Sequence, residues 1–341
     1  MANQSAIRVA VVGVGAFGQN HARVYHELQQ QGCGVELVGV LDASPSQAQA
    51  VAAQFGCKAL ANLEDLFGRV DAVSVAVPTV HHLQTAAALM AAGIDVLIEK
   101  PLASSLDEAD ELVRLAEANQ RIVQVGHLER FNPAVRATVP LLTRPMFFEV
   151  HRLSVFTPRS LDVDVVLDLM IHDIDVVLSF ARSAVKEVRA VGLPVVSGKV
   201  DIANVRMEFE SGCVANLTAS RISTEKVRKL RFFQPREYIS VDYARQDVLQ
   251  FRVTSEEKFS LDELLASIGA PDSSPIPGVT IHRPKVQQEE PLHAELKSFV
   301  EAVRRRTAPA VTLEDGRRAL ALALEILTAI SEHGRKAGLG M

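Results

Sequence analysis

The chain has 341 residues, of which 48% are hydrophobic and 23% are charged, a composition typical of a globular protein of about two domains. Its 36 basic and 41 acidic residues give a net charge of −5, which disfavours nucleic acid and anionic membranes as partners. Three scattered cysteines exclude a disulfide framework, and the sequence contains no pattern typical of a signal peptide or a membrane span. We therefore expect a cytoplasmic protein.

The first part of the chain alternates short β-branched runs with stretches of helical spacing, which is typical of a parallel sheet covered by helices. The predicted strands are Ile7–Val12, Val35–Leu41, Val70–Val77, Val96–Ile98 and Ile122–Val125. The helices predicted between them are Phe17–Gln30, Pro45–Phe55, Thr85–Ala92 and Leu106–Asn119. This α/β pattern predicts a Rossmann dinucleotide-binding domain over residues 1–125.

The pattern then changes to strands of period two around one prominent helix, predicted at Val165–Ala181. The predicted strands are Phe147–Leu153, Val185–Leu193, Ala203–Glu210, Val214–Ser220 and Tyr238–Tyr243. We expect an α+β domain over residues 126–341 with a largely antiparallel, open-faced sheet. Five prolines predict a loop between Ala270 and Pro291, and the tail Leu292–His333 is predicted to be two helices separated at Asp315-Gly316.

A glycine-rich segment follows the first strand and opens the first helix, which is the context in which a G-x-G-x-x-G pattern binds a dinucleotide. Gly13 permits the tight turn, Gly15 lets the backbone approach a pyrophosphate, and Gly18 lets the helix pack on the strand. The N–H groups of the helix start, at Ala16 and Phe17, are expected to face the phosphates.

Asp42 ends the second predicted strand, where an acidic side chain accepts hydrogen bonds from the adenosine ribose of NAD. A carboxylate there would repel the 2′-phosphate of NADP, so the sequence favours NAD. The alternative is that Asp42 caps the next helix, but Ser44 before Pro45 serves that role equally well.

Two further segments follow the carboxyl ends of strands, the edge at which open α/β sheets bind ligands. They are Pro78-Thr79-Val80-His81-His82 and Glu99-Lys100-Pro101. From them we predict cofactor contacts by Pro78, His82, Glu99 and Lys100.

Together with the glycine fingerprint, these segments resemble the glucose–fructose oxidoreductase/inositol dehydrogenase/rhizopine-catabolism (Gfo/Idh/MocA) family of sugar and polyol oxidoreductases. Glu-Lys-Pro after a short apolar strand is the most specific mark of that family. The resemblance continues through GHLERFNP at 126–133, DLMIHDID at 168–175 and PLHAEL at 291–296. It implies NAD as cofactor and a homodimer or homotetramer formed through the open face of the second sheet.

The family uses the lysine of the tripeptide and the histidine of a D-x-x-x-H helix as its catalytic pair, which implies Lys100 and His172, with Asp168 beside them. Asp168 and His172 are i and i+4, so in an α-helix the carboxylate could orient the imidazole. Either Lys100 or His172 would take the hydroxyl proton while the other steadies the developing alkoxide.

One departure from the family pattern and one possible metal site concern this helix. Family members usually carry glycine where Met170 stands, so we expect a narrower or reshaped pocket. Asp173 and Asp175 invite a metal site with Asp168 and His172, but the four positions do not share one helical face. We therefore predict no metal, and solvated or salt-bridged carboxylates instead.

The segments at 126–133, 158–160 and 166–175 look closer to nucleotide-sugar 3-dehydrogenases, which oxidise the 3-hydroxyl of UDP-N-acetylglucosamine. This resemblance implies substrate contacts by Lys100, His127, Arg130, Asn132, Arg159, Asp168 and His172. Guanidinium groups match the geometry of a diphosphate, but a surface or interface position would account for the arginines equally well. We interpret the basic stretch from Lys226 to Arg236 as an exposed strand edge or loop.

Two other functions remain open on these residues. One is a dehydrogenase of a free sugar or polyol such as an inositol, whose pocket would not need to hold an anionic diphosphate. The other is an NAD-sensing protein without turnover, which would not need Lys100, Asp168 and His172.

Overall fold

A computed structural model describes residues 6–157, 163–253 and 279–338. The described helices, numbered α1 to α8 in chain order, are Gly18–Gln30, Pro45–Phe55, His82–Ala91, Leu106–Ala118, Pro133–Thr138, Ile171–Ala181, Pro291–Arg305 and Leu313–Lys336. The described strands β1 to β6 are Ile7–Val12, Val35–Leu41, Lys58–Ala59, Ala72–Val75, Asp95–Glu99 and Val123–Gly126. Strands β7 to β14 are Phe147–Val155, Val185–Leu193, Ile202–Phe209, Val214–Ser223, Val227–Gln234, Glu237–Asp242, Asp247–Val253 and Val279–His282.

The chain divides into two compact units. The first comprises Met1–Phe131 with Glu289–Leu322, and the second comprises Asn132–Gln288 with Ala323–Met341. The sequence interpretation places the whole tail in the second domain, whereas residues 289–322 cluster with the first unit. The reason is the apolar stripe of α7, whose Leu296, Phe299 and Val303 pack into the same core as Val9 and Val11 of β1.

The first unit contains a parallel sheet in the order β3-β2-β1-β4-β5-β6. This is the Rossmann order, and it confirms the predicted fold of this domain. β4 and β5 are buried throughout because helices cover both faces of such a sheet. The order places β1 and β4 side by side, so the turns that follow them meet at the carboxyl edge of the sheet.

The second unit contains an eight-stranded sheet in the order β14-β13-β12-β11-β7-β10-β9-β8. Its pairs are antiparallel except for β7 with β10, which confirms the predicted, largely antiparallel sheet. The ring of Phe180 in α6 lies 6.0 Å from that of Phe232 in β11, so α6 packs on one face. On the other face, Phe233 and Ile281 are exposed, in keeping with the predicted open face.

Three expectations about local structure are wrong. The basic stretch is not an edge, because β11 lies between β12 and β7 and alternation buries its Leu230 and Phe232. β14 lies inside the predicted loop, in a run free of proline between Pro277 and Pro284. Asp315-Gly316 does not separate two helices, because it lies in the first turn of α8.

The capping contacts explain the position of that helix start. Thr312 accepts the N–H of Asp315 at 3.1 Å, and the Asp315 carboxylate accepts the N–H of Thr312 at 3.0 Å. Gly316 is needed within the helix because a Cβ there would lie 2.8 Å from the side chain of Val125. None of the described helices is both long and apolar enough to cross a membrane.

Candidate active site

The glycine turn after β1 is shaped by two close backbone approaches. Gly13 has φ +84°, and a Cβ on it would lie 2.7 Å from the backbone of Ala76, which follows β4. A Cβ on Gly18 would lie 1.8 Å from the carbonyl oxygen of Gly13. Gly15 is different, because a Cβ there would meet nothing within 4 Å. Gly13 and Gly18 are therefore required by packing, whereas the space beside Gly15 is open to a ligand.

The amino end of α1 fits the phosphates of a dinucleotide. Gly15, Ala16 and Phe17 are exposed, and no side chain caps the helix at Phe17. The first N–H groups of a helix have no intrahelical partners and carry the positive end of the helix dipole, so they favour an anion. The structure thus brings these predicted cofactor residues together beside Gly13 and Gly18.

Asp42 joins the second strand to the glycine turn. Its Oδ2 accepts the N–H of Val14 at 2.7 Å and its Oδ1 accepts the N–H of Ser44 at 2.9 Å. Ser44 itself caps α2 by accepting the N–H of Gln47 at 3.5 Å. The carboxylate is thereby held at the carboxyl edge of the sheet, and each oxygen keeps acceptor capacity for a ribose hydroxyl.

Pro78 is exposed in the turn after β4, whereas His82 is buried at the start of α3. The ring of His82 lies against three carbonyl oxygens: its Nδ1 is 3.1 Å from that of Pro101 and 3.2 Å from that of Leu102, and its Nε2 is 3.0 Å from that of Val77. Burial lowers the pKa of this imidazole, and the carbonyl contacts oppose that effect in part. These contacts make His82 a link between the loops after β4 and β5.

Glu99 and His21 form a buried pair that sequence reasoning missed. His21 is fully buried in the first turn of α1, and its Nε2 lies 3.0 Å from Oε1 of Glu99 at the end of β5. The other carboxylate oxygen accepts the backbone N–H of Lys100 at 3.3 Å. The Phe17 ring meets His21 edge-on at a centroid distance of 5.4 Å. Glu99 thus connects the half-buried Lys100 to the helix of the glycine turn.

The predicted catalytic helix of the second unit is present, but its first turn is not an α-turn. Val166–Met170 is a π-helical turn that leads directly into α6. Asp168 and His172 are half-buried, whereas Met170, between them in the chain, is fully buried. The i, i+4 geometry of a regular α-helix therefore does not apply from Asp168 to His172. π turns are rare and often occur at functional sites.

A buried carboxylate fixes the loop before β9, in which the backbone of Val200 exchanges hydrogen bonds with the segment that enters this π turn. Asp201 accepts three successive backbone N–H groups, those of residues 195–197, at 2.7 to 2.9 Å, and also the hydroxyl of the last of these residues. Burial alone would raise the pKa of Asp201, but these hydrogen bonds lower it to about 2. Arg221, 3.5 Å from Asp201, also donates to the carbonyl of Val163. Arg159, a predicted diphosphate contact, lies outside the described residues.

Three other predicted substrate residues, His127, Arg130 and Asn132, lie within the described part of the chain. His127 is buried, and Arg130 lies 3.4 Å from Asp315. Asn132 is buried; its side-chain oxygen caps α5 and its amide nitrogen donates to the carbonyl of Tyr243 at 3.0 Å. Asn132 therefore has a positioning role in this unit.

Asp173 and Asp175 of α6 are buried, and Asp173 is salt-bridged to Arg152. Among the residues that the structure describes, no group of three or more histidine, cysteine, aspartate or glutamate side chains has a spacing that could hold a metal ion.

A cavity of about 320 Å³ lies in the first unit beside the start of β6, at the opposite edge of the sheet from the glycine turn. Arg121 and Arg306 line it. Their guanidinium groups donate to the carbonyls of Gly93 and Gln120, and Arg306 also pairs with Asp95. Arginines commonly cap the carboxyl ends of helices, so the two arginines that line this cavity have a structural role.

Comparison with known proteins agrees with this geometry. The profile described as "Oxidoreductase family, NAD-binding Rossmann fold" (GFO_IDH_MocA) matches residues 7–127, and that of the "GFO/IDH/MocA C-terminal domain" matches residues 144–236. The chain is 35% identical over 325 residues to UDP-N-acetylglucosamine 3-dehydrogenase of Acidithiobacillus ferrooxidans, covering 95% of this chain and 97% of that protein. A solved structure of that enzyme matches with a TM-score of 0.84 at 32% identity, covering 95% of this chain and 98% of that one.

An inositol 2-dehydrogenase of Acidothermus cellulolyticus is 31% identical over 201 residues, which cover 56% of this chain and 58% of that relative. The similarity to the Acidithiobacillus enzyme, by contrast, extends over nearly the full length of both chains. The chain therefore belongs to the Gfo/Idh/MocA oxidoreductase family, and its first unit is an NAD-binding Rossmann domain.

Proposed function

We propose that this oxidoreductase uses NAD to oxidise the 3-hydroxyl of UDP-N-acetylglucosamine to the 3-keto sugar. The observation that carries this proposal is the 35% identity over 95% of the chain to an enzyme named for that reaction. The inositol dehydrogenase alternative is supported by a match to little more than half of the chain. A protein that only senses NAD is disfavoured, because the lysine, aspartate and histidine of the family's catalytic motif are all present as Lys100, Asp168 and His172.

The reaction removes a hydride from the carbinol carbon and a proton from its hydroxyl. NAD, when bound, supplies the hydride acceptor. The glycine turn, the N–H groups of Ala16 and Phe17, and the Asp42 carboxylate would hold it. Of Lys100 and His172, we propose that one accepts the hydroxyl proton and that the other stabilises the negative charge that develops on the oxygen.

The direct test is NADH formation, followed by absorbance, from the purified protein with NAD and UDP-N-acetylglucosamine. A carbonyl trap pulls the equilibrium towards the keto product, and other UDP-sugars and myo-inositol serve as comparison substrates. We expect turnover with the UDP-amino sugar and binding of UDP alone. Turnover of only myo-inositol would replace the proposed substrate, and NAD binding without turnover of any of these compounds would favour the sensing protein.

Replacing Asp42 with alanine is expected to lower the ratio of kcat/KM for NAD to that for NADP by roughly 10- to 100-fold. The variant loses charged hydrogen bonds to the ribose and the repulsion of a 2′-phosphate. It also loses the bond to Val14, which weakens both cofactors alike, so the ratio isolates the ribose contact. Asp107→Ala removes an exposed carboxylate of α4 and is the control. An unchanged ratio in Asp42→Ala would refute the ribose assignment.

We further propose that the protein is a cytoplasmic homodimer or homotetramer assembled through the open face of the second sheet. All three cysteines are free, as is usual in a reducing compartment. On the open face, aromatic rings form a row across four adjacent strands, with successive centroids 5.7, 5.1 and 5.7 Å apart: Phe147, Phe233, Tyr238 and Phe251. Phe233 is exposed and the other three are half-buried, and such apolar surface on an open sheet face is typical of protein interfaces.

Phe233→Glu is expected to dissociate this assembly, because it places a charge in the centre of the aromatic row. Light scattering should then give the mass of the 37.0 kDa monomer. Phe67→Glu is a matched control, since Phe67 is 37% exposed in the first unit and Phe233 is 38% exposed. An oligomer that survives Phe233→Glu would place the interface elsewhere.

A further inference from the structure

The second unit carries an arginine inside its core. The side chains of β7 that point towards α6 are Phe148, Val150 and Arg152, and Arg152 is only 3% exposed. Its Nε donates to Oδ2 of Asp173 at 2.6 Å and its second terminal nitrogen donates to Oδ1 at 2.8 Å. Asp173, at the start of α6, is 2% exposed. The two side chains therefore form a bidentate ion pair between the sheet and the catalytic helix.

Stability does not explain why such a pair is present. Moving two charges out of water costs a large part of what their attraction returns, and apolar side chains of similar volume often stabilise a core at least as well. What the ion pair provides instead is direction, because two parallel hydrogen bonds define both the distance and the orientation of the groups that they join. An apolar contact is non-directional and defines neither through bonds of its own.

That direction matters at this position because Asp173 immediately follows His172. Ile171 and Asp173 are buried while His172 is half-buried, and consecutive residues of an α-helix lie about 100° apart, so the anchored Asp173 lies a little over a quarter of a turn around the helix from His172. The π turn Val166–Met170 lies directly before this point. A π turn contains more residues than an α turn and shifts the rotational phase of the helix that follows. The phase of α6 therefore differs from that of one continuous α-helix through residues 166–181, and the Arg152–Asp173 pair is a directional contact between α6 and the sheet.

The arginine end of the pair has a further contact of its own. The guanidinium carbon of Arg152 lies 5.3 Å from the ring centroid of Tyr243, a cation–π distance. The backbone carbonyl of Tyr243 accepts the side-chain amide of Asn132. A continuous set of contacts therefore extends from Asn132 at the start of α5 to the residue next to His172.

We propose that Arg152 and Asp173 are positioning residues that set the orientation of His172 through the rotation of α6. This inference rests on the proposed function, in which His172 acts on the substrate hydroxyl. Neither residue of the pair touches the reacting atoms. The pair should therefore affect the rate of the chemical step while leaving NAD binding unchanged.

The test begins with Asp173→Asn, which keeps the shape of the side chain and removes its charge. We expect kcat to fall roughly 10- to 100-fold, as displacements of catalytic groups by about 1 Å do, with the Kd for NAD unchanged. Glu208→Gln is the control, because it removes the charge of a carboxylate paired with Lys186 at 3.0 Å on the exposed side of the same sheet. It should leave kcat as it is.

Measuring Asp173→Asn in a protein that also carries His172→Ala separates a positioning role from a general structural defect. If Asp173 acts through His172, Asp173→Asn should have no further effect on the residual turnover of His172→Ala. A structural defect would instead lower activity by the same factor in the wild type and in His172→Ala, and that outcome would overturn the proposal. An unchanged kcat in Asp173→Asn would overturn it as well. If Asp173→Asn does not fold, the double variant R152M/D173L decides: a folded protein with wild-type kcat refutes positioning, and a folded protein with reduced kcat supports it.

A measurement without turnover distinguishes failure of this inference from failure of the proposed function. In the unliganded protein labelled with ¹⁵N-histidine, the ring resonances of His172, assigned with His172→Ala, should shift in Asp173→Asn and not in Glu208→Gln. Unshifted resonances would refute positioning by the pair. Absence of turnover by the wild type with every UDP-sugar would refute the proposed function and leave this spectroscopic test intact.

Discussion

Lys100→Met is expected to lower kcat by roughly 10²- to 10⁴-fold, the range that a positioned acid–base or charge-stabilising group contributes. Methionine matches the length and flexibility of the lysine stem but carries no charge and no proton. The backbone contact of residue 100 with Glu99 does not involve the replaced side chain, so the loop should keep its conformation. Calorimetry with NAD is expected to give a Kd within about threefold of the wild-type value, and kcat is measured by NADH formation.

Lys58→Met is the matched control for this variant. Lys58 is exposed on β3 of the same sheet, and its substitution should leave both kcat and the Kd for NAD unchanged. Wild-type turnover in Lys100→Met would remove Lys100 from the mechanism. Parallel losses of kcat and NAD affinity would instead assign Lys100 to cofactor binding alone.

The two glycines of the turn should respond in opposite ways to the same substitution. Gly18→Ala places a methyl group 1.8 Å from the Gly13 carbonyl oxygen, so the backbone must move and the melting temperature of the unliganded protein should fall. Gly15→Ala meets nothing within 4 Å, so the unliganded protein should melt at the wild-type temperature. The new methyl group nevertheless occupies the space that the pyrophosphate needs, and NAD affinity should fall at least about 10-fold.

Differential scanning calorimetry with and without NAD measures both effects on the same samples. The stabilisation produced by NAD reports its affinity, because a ligand raises stability in proportion to the logarithm of its concentration over Kd. Gly198→Ala is the control, since a Cβ on Gly198 would likewise meet nothing within 4 Å without a left-handed φ, and Gly198 lies between β8 and β9 in the second unit, away from the turn. If Gly15→Ala is stabilised by NAD as much as the wild type, the pyrophosphate does not lie beside Gly15.

Much of the first unit was predictable because its signals are local. β1, β2 and α2 have the predicted bounds, since apolar runs, Gly13 and the Ser44-Pro45 start are all encoded within a few residues. The glycine turn needs three residues of one type in fixed order, and it lies where the pattern places it. Such features depend little on what the remainder of the chain does.

Other parts of the site depend on contacts between residues far apart in the chain. His21 and Glu99 meet only because β1, β4 and β5 are neighbours in the folded sheet, and no local pattern connects them. The π turn before His172 likewise has no signal in the local pattern, which predicts a regular helix there, and Met170 at its end is fully buried. For Arg152 the sequence contains one indication, because alternation along β7 places it on the same face as Phe148. Only the structure shows that its partner is Asp173.

The position of β11 in the sheet could not be read for a similar reason. Its basic residues resemble those that protect an exposed edge, and their neutralising partners come from adjacent strands: Arg231 lies 3.3 Å from Glu149 of β7, and Lys229 lies 3.9 Å from Asp242 of β12. Once paired, these charges are compatible with a central strand. The pairing register, and not the composition, determines which interpretation is right.

The pKa of Asp201 determines how a pH–rate profile of this protein can be interpreted. Its folded pKa of about 2 lies below the value near 3.9 of an unfolded aspartate, so its contribution to stability is fully present above about pH 4 and is lost as the pH falls through about 2. Between pH 5 and 9 the carboxylate stays ionised, and the loop that it holds keeps its hydrogen bonds. The hydrogen bonds from Asp201 to residues 195–197 are therefore unaffected by pH over the range in which an imidazole titrates. A bell-shaped rate profile in that range would therefore report groups other than Asp201 and not the loss of the loop that Asp201 holds.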